Sequence, residues 1–249
     1  MKIVVIGGSG LIGRVLIEIL QAKNHTVPSA SPRTGVDTLT GRGLAEVLAG
    51  ADTVVDVTNS PSFADDDVLK FFTTSTRNQL AAERDAGVRH HVALSVCGSD
   101  RLPESGYLRA KLAQERLIEQ GGVPYTILRA TQFFEFLAPI ADSAFDGTSV
   151  RVPSATMQPI AAHDVSAALA DVALAEPRNG VTEVGGPERI RMDELVRRVL
   201  AARGDERPVL ADPQARYFGT PLDDGSLVAA DGARLGTTRL ADWLRQTAR

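Results

Sequence analysis

The stretch Lys2-Ile3-Val4-Val5-Ile6-Gly7-Gly8-Ser9-Gly10-Leu11-Ile12-Gly13 decides the fold. Its first half, Lys2 to Ile6, is a β-branched run of the kind that forms a buried strand. Its second half is a glycine turn, and from there Leu11, Ile12, Val15, Leu16, Ile19 and Leu20 recur at helical spacing. Strand, glycine turn and helix together are the context of a dinucleotide fingerprint. Two registers fit: Gly8, Gly10 and Gly13 give G-x-G-x-x-G, and Gly7, Gly10 and Gly13 give G-x-x-G-x-x-G. In either, one glycine permits the tight turn, one lets the backbone approach a pyrophosphate, and one lets the helix pack closely on the strand. The helix N-terminus then offers free N–H groups and a partial positive charge to phosphate. The bland alternative is a structural turn with no ligand. The expected cofactor loop is Gly7, Gly8, Ser9, Gly10, Leu11, Ile12 and Gly13.

Working outward, Thr26-Val27-Pro28-Ser29-Ala30 reads as the second strand, and Ser31-Pro32-Arg33-Thr34 follows it. An acidic residue about 20 positions past the fingerprint would hold the ribose 2′-hydroxyl of NAD. No acid stands there. Arg33 instead offers paired donors for a phosphate, so NADP(H) is the expected cofactor and NAD(H) the alternative.

The chain then alternates helix and strand. Residues 43–50 read as a short helix, and residues 53–58 as a strand running into Asn59-Ser60-Pro61-Ser62. Residues 65 to about 85 read as a long helix whose start, Asp65-Asp66-Asp67, suits the positive end of the helix dipole. A strand over 91–96, a helix over 107–120 and a strand over 125–129 follow. This alternation predicts an α/β fold with a doubly wound parallel sheet, and ligands at the carboxyl ends of its strands. After Arg129 the pattern loosens. Residues 150–152 and 157–161 read as short extended pieces, 165–175 as a helix capped by Asp164, 181–184 as a strand and 193–203 as a helix. Leu240, Trp243 and Leu244 mark a last helix, with Thr237 or Thr238 as its cap. The expected organisation is a nucleotide-binding core over residues 1–132, completed by about 160–185. A smaller substrate-binding elaboration over 133–249 is interwoven with it rather than independent.

Tyr107-Leu108-Arg109-Ala110-Lys111 puts a phenol and an ammonium on one helix face, about 5–6 Å apart at Cβ. Ser95 lies at the end of a predicted strand, where such sheets bind ligands. A phenol titrates near ~10 in water. A neighbouring cation and an oxidised nicotinamide would pull that value down. Tyr107 is therefore the expected proton donor or acceptor for a substrate oxygen. Ser95 would donate a hydrogen bond to the same oxygen, and Lys111 would also hold the nicotinamide ribose. Taken alone, Tyr-x-x-x-Lys is also an ordinary helix-surface pair. Phe133, Phe134 and Phe136 are expected either to line an apolar substrate pocket or to pack as core. His90 and His91 point to opposite faces of their strand and cannot share a metal, and no metal site is expected. His163 beside Asp164 reads as a helix cap with a neighbouring imidazole rather than a catalytic dyad.

On these residues the chain resembles the short-chain dehydrogenase/reductase superfamily, and within it the atypical branch of NmrA-like NAD(P)-binding proteins. The resemblance rests on Gly7-Gly8-Ser9-Gly10-Leu11-Ile12-Gly13, Ser95 and Tyr107-x-x-x-Lys111. Gly121-Gly122-Val123-Pro124-Tyr125-Thr126-Ile127-Leu128-Arg129 supports it, being similar to that branch's strand leading into the substrate region. It covers residues 1 to about 185 and implies a Rossmann fold with a small C-terminal substrate-binding region. It also implies that Arg33, beside Ser31, reads the 2′-phosphate, and that Asp37 and Thr38 lie near the adenine. Asn59, Ser60 and Pro61 would pass under the ribose and nicotinamide, and Ser95, Tyr107 and Lys111 would form a catalytic triad. One departure stands out. Many members carry an asparagine on the long helix that holds a proton-relay water; that position here is Phe72, and Asn78 lies more than a turn away. The implied activity is NADP(H)-dependent reduction or oxidation of a carbonyl or quinone in a small molecule. Two alternatives are an NADP(H) redox sensor with a protein partner and no turnover, and an epimerase or dehydratase with tightly bound NAD(P). Members of the sensor kind typically lack the intact Tyr-x-x-x-Lys that this chain keeps.

Composition closes off other classes. The 249 residues are 43% hydrophobic and 23% charged, which excludes long disorder, collagen and coiled coil. A net charge of −4 supplies no cation excess for a phosphate backbone, so no nucleic-acid partner is expected. The single cysteine, Cys97, leaves neither a disulfide framework nor a cysteine zinc cage. No apolar run approaches the ~18 residues of a membrane helix. Met1 to Gly7 turns glycine-rich too early for a signal peptide. A cytoplasmic protein that does not engage membranes is expected, with its oligomeric state open.

Overall fold

The computed structural model describes residues 1–247. Ile3–Ile6 (β1) is buried throughout and runs straight into the turn at Gly7; Leu11–Ala22 (α1) then turns Leu16 and Leu20 fully inward. Ser29–Ala30 (β2) and Thr53–Asp56 (β3) both pair in parallel with β1. The second strand is shorter than its sequence predicts. Pro28 has no N–H to give a ladder, although Val5 N–H still donates to the Pro28 carbonyl at 3.0 Å. Leu44–Leu48 (α2) follows β2, and Asp65–Ala86 (α3) follows β3 and stops at Gly87 in the left-handed region (φ +69°). His90–Val96 (β4), Gly106–Glu119 (α4), Tyr125–Ala130 (β5), Leu137–Ser143 (α5), Val150–Val152 (β6) and Thr156–Met157 (β7) come next. Ala162–Leu174 (α6), Gly180–Gly185 (β8), Ile190–Arg191 (β9), Met192–Ala202 (α7), Val209–Ala211 (β10), Arg234–Leu235 (β11) and Leu240–Thr247 (α8) complete the order.

Seven strands form one parallel sheet in the order β11-β8-β5-β4-β3-β1-β2, and β6 with β10 and β7 with β9 form two small sheets. The fold is therefore the α/β, doubly wound Rossmann type. The sheet grows away from β1 in both directions, β2 on one side and β3 on the other. That reversal opens a crevice outside the carboxyl ends of β1 and β3, where ligands of such sheets bind.

The chain divides into two compact units. The first is Met1–Arg129 with Val165–Thr182. Its core includes Val4, Ile6, Leu44, Leu48, Val54, Leu80, Ile118 and Ile127. The second takes Ala130–Asp164 and the chain from Glu183 onward, and buries Leu137, Val150, Met157, Ile160, Leu195 and Leu227. Two helix caps in this unit differ from the sequence expectation. Asp164 lies inside α6 rather than ahead of it, and its Oδ2 accepts the N–H groups of Thr237 (2.9 Å) and Thr238 (2.8 Å). The first N–H of α8, from Leu240, donates to Glu188 at 2.8 Å rather than to either threonine. Both carboxylates come from distant sequence, which local patterning cannot register. Among the described residues no helix is long and apolar enough to cross a membrane.

The interior of the first unit is not wholly apolar. Ser75, Gln79 and Glu83 recur every fourth residue of α3 and are fully buried. Both carboxylate oxygens of Glu83 lie 2.9 Å from Nδ1 of His91 on β4. Burial alone would lower the His91 pKa; the charge and hydrogen bond of Glu83 reverse this, Asp56 adds to them, and the net shift is upward. A raised folded-state value means that the pair's stabilisation is complete below the unfolded histidine value of about 6.5. It fades as pH rises through the folded value. Removing one partner of a buried pair costs about 3–5 kcal/mol. In urea denaturation Glu83→Gln is expected to lose about 3 kcal/mol near pH 6 and less at alkaline pH. A loss of the same size at every pH would show that the pair's charge is not what stabilises the fold.

Candidate functional site

The glycine turn is shaped by backbone packed on backbone. Gly7 has φ +85°, and a Cβ there would lie 2.9 Å from the carbonyl carbon and oxygen of Val57, just past β3. A Cβ on Gly13 would lie 2.4 Å from the Gly7 carbonyl oxygen and 2.6 Å from Gly8 Cα. One on Gly8 would meet Ser29 Oγ at 2.4 Å, and one on Gly10 the Gly7 oxygen at 3.2 Å. Gly10 is the N-cap of α1, with no side-chain cap and no acidic residue in the first turn. The helix therefore presents its N-terminal dipole unneutralised. Ser9 is half-buried, Leu11 is exposed, and Ile12 points its side chain into the core, leaving its backbone to the turn. A narrow glycine cradle below an uncapped helix end fits a pyrophosphate.

The loop after β2 is a short turn over Pro32–Thr34, closed by Ser31 N–H donating to Thr34 Oγ1 at 2.9 Å. Ser31 is buried, whereas Arg33 is exposed and forms no ion pair among the described residues. Asp37 accepts the N–H of Leu39 at 2.9 Å. Its carboxyl is held below the usual range, chiefly by a hydrogen bond from Thr40 and then by the one from Leu39. Asn78 of α3 donates to the carbonyls of Thr38 (2.8 Å) and Leu39 (3.0 Å), so it fastens this loop rather than holding a relay water. Beyond β3, Asn59 Oδ1 accepts from Ser60 N–H at 3.0 Å and from the Tyr107 hydroxyl at 3.1 Å. Ser60 is buried and Pro61 exposed.

Tyr107 and Lys111 share one face of α4, whose N-cap Ser105 accepts from Leu108 N–H at 3.4 Å. The Tyr107 ring lies 5.7 Å from that of Phe63 and 6.0 Å from that of Phe72. Burial pushes its phenol up to about 12, opposite to the downward pull expected of a neighbouring cation. The reason is where the ammonium goes. Lys111 Nζ donates to the Leu94 carbonyl at 2.8 Å and to Gln114 Oε1, and sits 4.4 Å from the centre of the Phe72 ring. Burial brings Lys111 down to about 8, with Asp56 and Glu115 resisting.

Ser95 is buried, and its hydroxyl donates to Glu115 Oε1 at 2.5 Å. Its one proton is therefore not available to a substrate oxygen while that bond stands. Glu115 is a hub: it also accepts from Ser99 Oγ (3.2 Å), Arg129 Nε (3.0 Å) and Arg129 Nη2 (2.6 Å), and Arg129 Nη1 reaches Asp100 at 2.7 Å. None of Asp56, Gln79, Glu83, Gln114, Glu115 and Arg129 was singled out from sequence. The available signal was the spacing of polar residues at i, i+4 on α3 and α4, which reads equally as a solvated face. In the second unit, Phe134 is core, with its ring 5.4 Å from that of Trp243, and Phe133 stacks on the exposed Phe136 at 5.6 Å.

Comparison with known proteins gives a consistent frame. Residues 7–176 match the profile of a family described as NAD(P)H-binding. The chain is 27% identical over 240 residues to a chloroplastic divinyl chlorophyllide a 8-vinyl-reductase from Cucumis sativus, covering 80% of this chain and 57% of that protein. It spans just over half the length of the curated relatives it matches. Its backbone is similar to a UDP-glucose 4-epimerase from Thermotoga maritima solved with UDP-glucose (TM-score 0.77, 16% identity, 100% of this chain and 97% of that one). It is also similar to a short-chain dehydrogenase/reductase superfamily protein from Agrobacterium tumefaciens with bound NAD (TM-score 0.71, 20% identity, 100% and 96%).

The turn yields a steric test. Alanine favours a helix over glycine by about 1 kcal/mol. The contact at Gly13 is with backbone that cannot rotate away, and overpacking costs about 1–3 kcal/mol. Gly13→Ala is therefore expected to lower the urea midpoint; a midpoint that rises means the helix and turn can separate.

Proposed function

The chain belongs to the NAD(P)H-binding family, and on that premise we propose that it is an NADP(H)-dependent oxidoreductase. Its substrate is a small molecule carrying a carbonyl or quinone group, and Tyr107 is the proton donor or acceptor. The observation that carries the reading is the hydrogen bond from Tyr107 to Asn59. Gly7 packs on Val57, and Asn59 stands two residues further on, so the phenol is anchored to the crevice that the glycine turn defines. The relatives' description as vinyl-reductases supports a reductase.

Bound NADPH would supply a hydride. The N–H groups at the start of α1 would hold its pyrophosphate, and Arg33 would pair with its 2′-phosphate. Tyr107 is protonated at neutral pH, burial holding its pKa near 12, and once its hydroxyl turns from Asn59 Oδ1 it would be the acid that gives its proton to the substrate oxygen as carbon receives hydride. The Lys111 ammonium, bonded to the Leu94 carbonyl and to Gln114, would hold the ribose through its remaining N–H. Ser95 joins the substrate oxygen only by turning its hydroxyl away from Glu115.

Two measurements test this. Tyr107→Phe is expected to lower kcat at least about 100-fold while leaving NADPH affinity nearly intact; unchanged turnover, or lost binding, overturns the role. A wild-type protein that binds NADPH but oxidises it with no carbonyl or quinone is a sensor instead. Arg33→Ala is expected to weaken NADPH by about 1.5–3 kcal/mol and leave NADH unaffected. Equal affinity for the two cofactors in the wild type would remove the 2′-phosphate assignment.

A further inference from the structure

Lys111 is 2% exposed, so bulk solvent does not orient it. Its ammonium is instead placed by a chain of three groups. Nζ donates to Gln114 Oε1, and Gln114 Nε2 donates to Asp56 Oδ2 at 3.0 Å. Asp56, at the end of β3, is 1% exposed and receives four hydrogen bonds. Gln79 Nε2 shares Oδ2 at 3.3 Å, and Oδ1 takes the N–H and hydroxyl of Thr58 at 2.9 and 2.7 Å. All four donors require an acceptor, which a carboxylate supplies at both oxygens and an amide does not. The polarity of Asp56 thus fixes which end of the Gln114 amide faces Lys111. Were the amide reversed, its NH2 would confront an ammonium that can only donate.

We propose that Asp56 and Gln114 are the positioning residues of Lys111: the carboxylate orders the amide, and the amide orders the ammonium. The inference rests on the reading of Lys111 as a member of the active site. It also explains how the site operates with Phe72 on α3. The ring lies under Nζ at 4.4 Å and offers no proton-conducting partner, so polar contact with the ammonium comes from the sheet side and from α4. The charged groups facing Lys111 are Asp56 from β3 and Glu115 from its own helix; β4 contributes the Leu94 carbonyl, and its His91 responds to the same Asp56.

The test uses the full chain. It has four lysines, Lys2, Lys23, Lys70 and Lys111. Lysine labelled with 15N at Nζ therefore gives four side-chain signals, and the one lost in Lys111→Met is assigned. Asp56 opposes the burial that lowers Lys111, so Asp56→Asn is expected to move the Lys111 titration further down by on the order of one pH unit. The basic limb of kcat/KM is expected to move with it, and kcat/KM near pH 8 to fall about fivefold. Gln114→Met, apolar and close in shape, is expected to move the same signal and serves if Asp56→Asn does not fold. Folded variants with an unchanged Lys111 titration overturn the proposal. A moved titration in a protein without turnover upholds the positioning and removes only the catalytic reading on which its purpose rests.

Discussion

Nothing larger than hydrogen fits between the third residue of α1 and the turn that leads into it. Gly13 rests on the carbonyl of Gly7 and the Cα of Gly8, and Gly7 in turn rests on the backbone of Val57. These contacts bring the start of α1, the end of β1 and the end of β3 to one place. From this follow the direction in which the helix dipole points, the mouth of the crevice where the sheet reverses, and the position of Asn59 and of the phenol bonded to it. A methyl group at Gly13 acts on all of them because every contact involved is backbone, and backbone cannot adopt another rotamer.

The second organising feature is a polar layer inside the first unit. Asp56, Lys111, Glu83, His91, Glu115 and Arg129 are buried or nearly so. Taking such ions out of water costs several kcal/mol each, and attraction repays it only when hydrogen bonds also satisfy the remaining lone pairs. Glu115 meets that condition with four donors, and Asp56 with four. Well-packed apolar residues of similar volume often stabilise a core as much as buried ion pairs do. What the charged layer adds is orientation. Ser95, Lys111 and the loop bearing Ser99 and Asp100 are each held by groups that accept or donate in one sense only. The cost is that Ser95 must leave one good partner before it can serve another.

The parts of the fold set by local chemistry were legible in the chain. A β-branched run marked β1 and apolar runs marked β3, β4 and β5; the glycines marked the turn; Asp65 to Asp67 marked the start of α3. Local rules also misled where a proline shortened β2 and where helix caps came from afar, as Asp164 and Glu188 show. Of the candidate site, the Tyr107 and Lys111 pair was visible as i, i+4 spacing. Its electrostatics were not, because the phenol's pKa follows from burial and from an ammonium turned toward Gln114.

The sequence by itself determined the doubly wound parallel sheet, the glycine turn and its dinucleotide geometry, and the face of α4 that carries Tyr107 and Lys111. The turn and the helix face are written in residues within one helical turn or one strand of each other, and the sheet in the alternation of such local runs along the chain. Only the tertiary structure decided which polar residues of α3 and α4 go inside, that Ser95 faces Glu115, and that Asp56 is linked to Lys111 through Gln114. Those pairings join residues 20 and 58 positions apart. Their energies depend on the exclusion of water, which no stretch of chain possesses until the sheet and both helices have closed around it.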